Sequence, residues 1–165
     1  MTREDLEAEN SRLRVQVATL ETGRDALVAS AARQRAIFDS STDFAMVVTD
    51  PNGIITDWNP GAEHVMGWAA AEMIGNDARR FFLPDDVASG RLDHEMQQAL
   101  DDGRAADERW HLRKTGERFW ASGEMMPLHD DGDAHLGFVK ILRDRTDEHV
   151  AGVALKQAKE RFQTI

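Results

Sequence analysis

The chain has 165 residues, enough for one domain of ordinary size plus additional helix, because a single core takes on the order of 100 to 150 residues. Its 30 acidic and 20 basic residues give a formal charge of −10, which opposes non-specific attachment to nucleic acid or to anionic lipid. It has no cysteine, which excludes disulfides, thiolate metal sites and cysteine nucleophiles, and no apolar run approaching the roughly 20 residues of a membrane span.

The first thirty or so residues carry a seven-residue period: Leu6, Leu13, Leu20 and Leu27. With leucine at d, the a positions are Arg3, Asn10, Val17, Arg24 and Ala31, a short parallel coiled-coil pattern. An Asn at one a position favours a dimer in fixed register, since two buried amides pair with each other. A helix packed on its own domain would show a wider apolar stripe than one leucine per heptad. Residues 1–34 are therefore expected to form a dimerisation helix of a parallel homodimer, with Leu6, Asn10, Leu13, Val17, Leu20 and Leu27 at the seam. The acidic start Met1-Thr2-Arg3-Glu4-Asp5 lacks a signal-peptide pattern, so the segment is expected to be cytoplasmic and without membrane contact.

Residues 35–146 read as one α+β domain. An apolar run from Phe44 to Val48, the turn Pro51-Asn52-Gly53 and a second apolar run ending at Asn59 predict a β-hairpin that delivers the chain into short helices. Those helices are expected over Ala62–Val65, Ala69–Ile74 and Asp77–Phe81, followed by one longer helix opened by Pro84 and running to Asp101-Asp102-Gly103. Three more strands follow, Asp107–Arg113, Arg118–Met126 and Leu136–Leu142. Residues 147–165 are charged and Ala-rich, as an exit helix would be. The ending Glu160-Arg161-Phe162-Gln163-Thr164-Ile165 is similar to the lead-in Ala32-Arg33-Gln34-Arg35-Ala36-Ile37, so a further domain is expected downstream.

The string Asp50-Pro51-Asn52-Gly53-Ile54-Ile55-Thr56-Asp57-Trp58-Asn59 resembles the opening of a PAS domain. The resemblance continues through Gly67-Trp68, Glu72-Met73-Ile74-Gly75, Arg113-Lys114-Thr115-Gly116-Glu117-Arg118-Phe119-Trp120, Gly137-Phe138-Val139 and Asp144-Arg145-Thr146. It implies the PAS fold, a five-stranded antiparallel sheet with helices on one face, flanked here by the N-terminal coiled-coil helix and the C-terminal exit helix. It also implies a cavity between sheet and helices where a ligand or cofactor can sit. Gly75-Asn76-Asp77-Ala78-Arg79 and Phe119-Trp120-Ala121 are similar to the flavin-binding LOV branch, but the adduct-forming Cys is matched by Ala78. The branch's flavin-binding amides are matched by Asp77, His111, Ala121 and Leu142, which removes the hydrogen bonds that select the isoalloxazine edge. His94, a candidate heme ligand on the long helix, falls about one turn from the expected position, among the polar residues Asp93, Glu95 and Gln97 of a solvated face. No cofactor is expected, neither flavin nor heme.

Set in phase by that alignment, Arg109, His111, Phe119, Ala121, Met125, Phe138, Lys140 and Leu142 point inward, and Trp110, Trp120, Val139 and Ile141 lie on the outer face. Arg109, His111 and Lys140, with Ala121 and Leu142, are the candidate ligand-binding residues, an anion pocket for carboxylate or phosphate. The competing reading, favoured here, is that the cations form internal salt bridges, with Glu108 and Glu124 as available partners. A one-residue slip would reverse every assignment. No phosphate loop, kinase H-box or paired nucleophile and base is present, so the segment is expected to be non-catalytic. The resemblance implies a sensory and dimerisation module of a bacterial multidomain signalling protein, a sensor histidine kinase. Asp144 and Thr146 would relay signals to the exit helix, Thr146 capping it. The alternative is a ligand-free interaction module whose core is filled by Met46, Phe81, Phe82, Met96, Met125 and Phe138.

Overall fold

The computed structural model describes residues 2–164, and the chain divides between Phe38 and Asp39 into two units. The first consists of helix α1 (Arg3–Ser40), whose last two residues fall in the second unit; the helix ends six residues beyond the expected residue 34 and buries none of its side chains. Leu6, Asn10, Leu13, Val17, Leu20 and Leu27 are all exposed along it, Leu27 by 74%. Arg3 and Glu7 pair along the helix at 2.9 Å.

The second unit begins with a hairpin, β1 (Ala45–Thr49) and β2 (Ile55–Trp58). Asp50 Oδ1 accepts the N–H groups of Asn52 and Ile54, at 2.8 and 3.0 Å, and Gly53 takes the turn's φ of 88°. Asn59 then caps α2 (Pro60–Met66): its Oδ1 accepts from Ala62 N, while its amide donates to the carbonyls of Ser41 and Phe44. Helix α3 (Ala70–Met73) and a 3-10 turn (Ala78–Phe81) follow.

The long helix expected from Pro84 is two helices, α4 (Pro84–Ala88) and α5 (Arg91–Asp102). Gly90 separates them at φ 70°, a left-handed conformation in which a helix cannot continue. The restart sets the phase of α5, whose buried residues Leu92, Glu95, Met96 and Ala99 follow the i, i+3, i+4, i+7 spacing. Strands β3 (Ala105–Leu112), β4 (Arg118–His129) and β5 (His135–Asp144) complete an antiparallel sheet in the order β2-β1-β5-β4-β3. Helix α6 (Thr146–Gln163) leaves it.

Alternation places Ala45 and Val47 of β1, Phe119, Ala121 and Met125 of β4, and Phe138, Lys140 and Leu142 of β5 against the helices. Phe81, Phe82 and Met96 join them in the core, whereas Met46 lies on the opposite face of β1, half-buried, out of step with its buried neighbours. At Gly123 of β4 the backbone of β5 leaves no room for a side chain: an added Cβ would meet the Ile141 carbonyl oxygen at 1.8 Å. Because that oxygen is backbone, no rotamer relieves the clash. Gly123→Ala is expected to destabilise the domain by about 3 kcal/mol or more, and an unchanged thermal midpoint would refute the close approach.

Candidate functional site

The inner face of the sheet carries a buried cluster of charges. Lys140 of β5 is 1% exposed, and its Nζ donates to Glu95 Oε2 of α5 and lies the same 2.6 Å from Asp107 Oδ2 of β3. Asp107 Oδ2 also receives His111 Nε2 at 2.7 Å, while its Oδ1 accepts from Arg109 Nε at 2.9 Å. Arg109 extends toward the surface to Asp86, at 3.2 Å. Glu95 Oε1 lies 3.5 Å from Arg109 and 3.6 Å from Arg91, without a hydrogen bond. With His111 neutral, three cations (Arg91, Arg109, Lys140) balance three carboxylates (Asp86, Glu95, Asp107). Such balance lets charge persist where its desolvation is costly.

Burial pushes the Glu95 carboxyl above its ordinary value, in spite of the Lys140 charge. Burial acts the same way on Asp107, but the Lys140 charge and the His111 contact outweigh it and hold that carboxyl far below the usual range. Burial also lowers the pKa of His111, against the pull of Asp107. The ring faces an acceptor at each nitrogen, Asp107 Oδ2 at 2.7 Å from Nε2 and the Phe81 carbonyl oxygen at 3.2 Å from Nδ1, and when neutral donates to only one of them.

The candidate ligand residues Arg109, His111, Lys140, Ala121 and Leu142 are thus brought to one face, the last four with no more than 1% exposure. Their cations are engaged by Glu95 and Asp107. Glu108 instead accepts from Ser122 on the solvent side, and Glu124 lies 3.9 Å from Arg104. Glu95, grouped by sequence with a solvated helix face, is fully buried because the break at Gly90 and the partner Lys140 turn it inward. His94, by contrast, is exposed.

A second constellation ties the end of the sheet to α6. Asp144 Oδ2 accepts from Arg113 Nη2 at 2.6 Å, and its Oδ1 accepts from both the N–H and the hydroxyl of Thr146. Burial would raise the Asp144 pKa, but the Thr146 and Arg113 hydrogen bonds prevail and lower it. Thr146 Oγ1 in turn accepts from Trp120 N at 2.9 Å, and the Trp120 carbonyl accepts from Arg145 N. Thr146 is therefore no helix cap: its hydroxyl is filled by a donor of β4, and Arg145, at the N-cap, makes no side-chain cap. Arg113, a member the sequence reading passed over, also donates to the Val65 carbonyl and thereby joins α2 to the clip. On the outer face His149 stacks on Trp120, ring centroids 3.6 Å apart and 9° from parallel, and stands edge-on to Trp110.

A sheet in the order β2-β1-β5-β4-β3, short helices over one face between β2 and β3, and an exit helix after β5 define a PAS-type architecture. The sequence agrees: the family model described as PAS domain matches residues 43–147, and the chain belongs to that family. It is 36% identical over 124 residues to "Two-component system protein A" of Emericella nidulans. That match covers 75% of this chain and 18% of the relative, so the chain spans less than a fifth of that protein. The PAS domain of a protein from Colwellia psychrerythraea superimposes with a TM-score of 0.65 at 28% identity, over 72% of this chain and 98% of that one. The PAS domain of an HTR-like protein from Haloarcula marismortui shares the fold, with a TM-score of 0.59 at 22% identity, over 75% and 98% of the two chains.

Proposed function

We propose that this chain is the sensory and dimerisation module of a cytoplasmic two-component signalling protein, a sensor histidine kinase, and is itself non-catalytic. The observation that carries the reading is the clip of Arg113, Asp144, Thr146 and the Trp120 backbone, which fastens the start of α6 to the sheet. A change in the sheet then reaches α6 at its base, and a bias of a few kcal/mol suffices to shift a two-state helix pair. The two-component relative supports the signalling context.

Helix α1 supplies the dimer in this reading, as a parallel coiled coil of two copies with Leu6, Asn10, Leu13, Val17, Leu20 and Leu27 at the seam. Their uniform exposure in the single chain supports it, since a leucine seam is stabilised only when a partner covers it. Replacing Leu13 and Leu20 together by Asp is expected to convert a dimer of about twice the 18.5 kDa chain mass into a monomer in sedimentation equilibrium. A wild-type chain that is already monomeric at high concentration would end the coiled-coil assignment.

A second reading, a ligand-free interaction module, draws on the core itself. Phe81, Phe82, Met96, Met125 and Phe138 occupy the space between sheet and helices together with the ion cluster. Neither flavin nor heme is proposed. Ala78, Ala121 and Leu142 present hydrocarbon to that space, and His94 faces solvent.

A further inference from the structure

Beside the clip, and outside the filled core, a cleft of 380 Å³ is lined by Asp43, His64, Val65, Arg113, Arg143 and Asp144. That volume lies in the ~300–1,000 Å³ range of small-molecule sites. Its polar groups are two guanidinium groups and an imidazole against two carboxylates, and Asp144 is already committed to Arg113 and Thr146. Arg143 forms no ion pair among the described residues; its guanidinium lies 5.7 Å from the centre of the Phe44 ring. A planar guanidinium with five N–H donors and no carboxylate, at the mouth of a cleft, is matched by an oxyanion.

We propose that this cleft binds a small oxyanion, a carboxylate or phosphate group, between Arg143 and Arg113, and that the bound anion competes with Asp144 for the Arg113 guanidinium. The competition has a defined direction. Arg113 Nη2 donates to Asp144 Oδ2 at 2.6 Å, so an oxyanion drawing Arg113 away removes the contact that orients the carboxylate and leaves it free to turn from the Thr146 N–H and hydroxyl. The clip then loosens at the base of α6. The regulatory part rests on the clip being the coupling element, as proposed above; the binding part does not. The sheet-and-helix core, where the ion cluster lies, takes no part.

Nuclear magnetic resonance titration of the isotope-labelled chain with inorganic phosphate, and separately with malonate, at fixed ionic strength tests both parts. Expected are saturable shifts at Val65, Arg113 and Arg143, with a concurrent shift of the Trp120 amide as Thr146 releases it. Arg143→Ala, at an exposed position and so harmless to folding, is expected to weaken binding about tenfold, the value of one charge-assisted hydrogen bond. Arg161→Ala, an equal charge change on α6, is expected to leave binding intact. Shifts that do not saturate, or that survive Arg143→Ala, would overturn the site. Saturable binding at Arg143 with a motionless Trp120 amide would overturn the competition with Asp144. Neither result depends on what Asp144→Ala does to output in a full-length parent, so failure of the site and failure of the clip as a coupling element read out separately. A response to only one of the two probes identifies the oxyanion as phosphate or as carboxylate, and either supports the site.

Discussion

Lys140→Met is expected to destabilise the domain by about 3–5 kcal/mol, the usual cost of removing one partner from a buried ion pair. Methionine matches lysine in length, so the loss is one of charge and not of volume. What remains are Glu95 and Asp107, two carboxylates with no exposure, deprived of the ammonium that lay 2.6 Å from each. Urea unfolding followed by tryptophan emission gives the number, and a loss under about 1 kcal/mol would mean that the lysine contributes little beyond its stem. The combined variant Lys140→Met, Glu95→Gln, Asp107→Asn should recover much of the deficit, because it leaves no buried charge unpaired.

The same cluster fixes the pH behaviour of the wild type, with signs that differ between members. Asp107 has a folded pKa depressed below 3.8, so its contribution is present above that value and is lost as the pH falls toward the folded value. His111 is depressed below 6.5, so the unfolded chain takes up its proton first and stability declines as the pH falls through 6.5. Glu95 runs the other way: raised above 4.5, it favours the folded state below that value and loses that contribution as the pH rises through the folded value. In Lys140→Met both carboxylates lose the ammonium nearest to them and gain from protonation. The variant's deficit should therefore shrink on acidification, as Asp107 and His111 withdraw their contributions from the wild type.

Asp144→Ala is expected to cost about 2 kcal/mol, from losing charge-assisted bonds to Arg113 and Thr146, and to abolish signal-dependent output in a full-length parent. Hydrogen exchange supplies the structural readout. The Trp120 amide, which donates to Thr146 Oγ1, should exchange faster, whereas amides in the centre of the sheet should not. Output that stays responsive after the clip has measurably loosened would remove Asp144 from the coupling path. Asp144→Asn keeps an acceptor and should fall between alanine and wild type.

The sheet was legible because its signals are local. Asp50-Pro51-Asn52-Gly53 dictates a hairpin, and alternation along β3, β4 and β5 puts His111, Phe119, Ala121 and Lys140 on one face once a single residue sets the phase. The ion cluster was legible by half. Its cations are out of place in inward positions of a strand, but Glu95 sits among acidic and amide residues that read as solvated until Gly90 is seen to break the helix. Arg113 was hidden because it closes a predicted strand with no local partner to single it out, and its partners at Val65 and Asp144 are distant in sequence. Thr146 failed as a cap for a similar reason: a hydroxyl at a helix start implies a local donor, yet the donor comes from Trp120, 26 residues earlier.

Helix α6 is held to the sheet at one end only. Arg145, Thr146 and His149 anchor its first turn, and none of its side chains is buried over all 18 residues. A rod of that count is about 27 Å long. If the clip is the coupling element proposed above, the helix is a lever pivoted at its base: a tilt of about 5° at the clip would sweep the far end through roughly 2 Å, the size of the ~1–2 Å helix shifts that switch interfaces. Adjustments of a few tenths of an ångström among Arg113, Asp144 and Thr146 are therefore geared up by the length of the helix, and a longer or stiffer continuation beyond residue 163 would raise the gain in proportion.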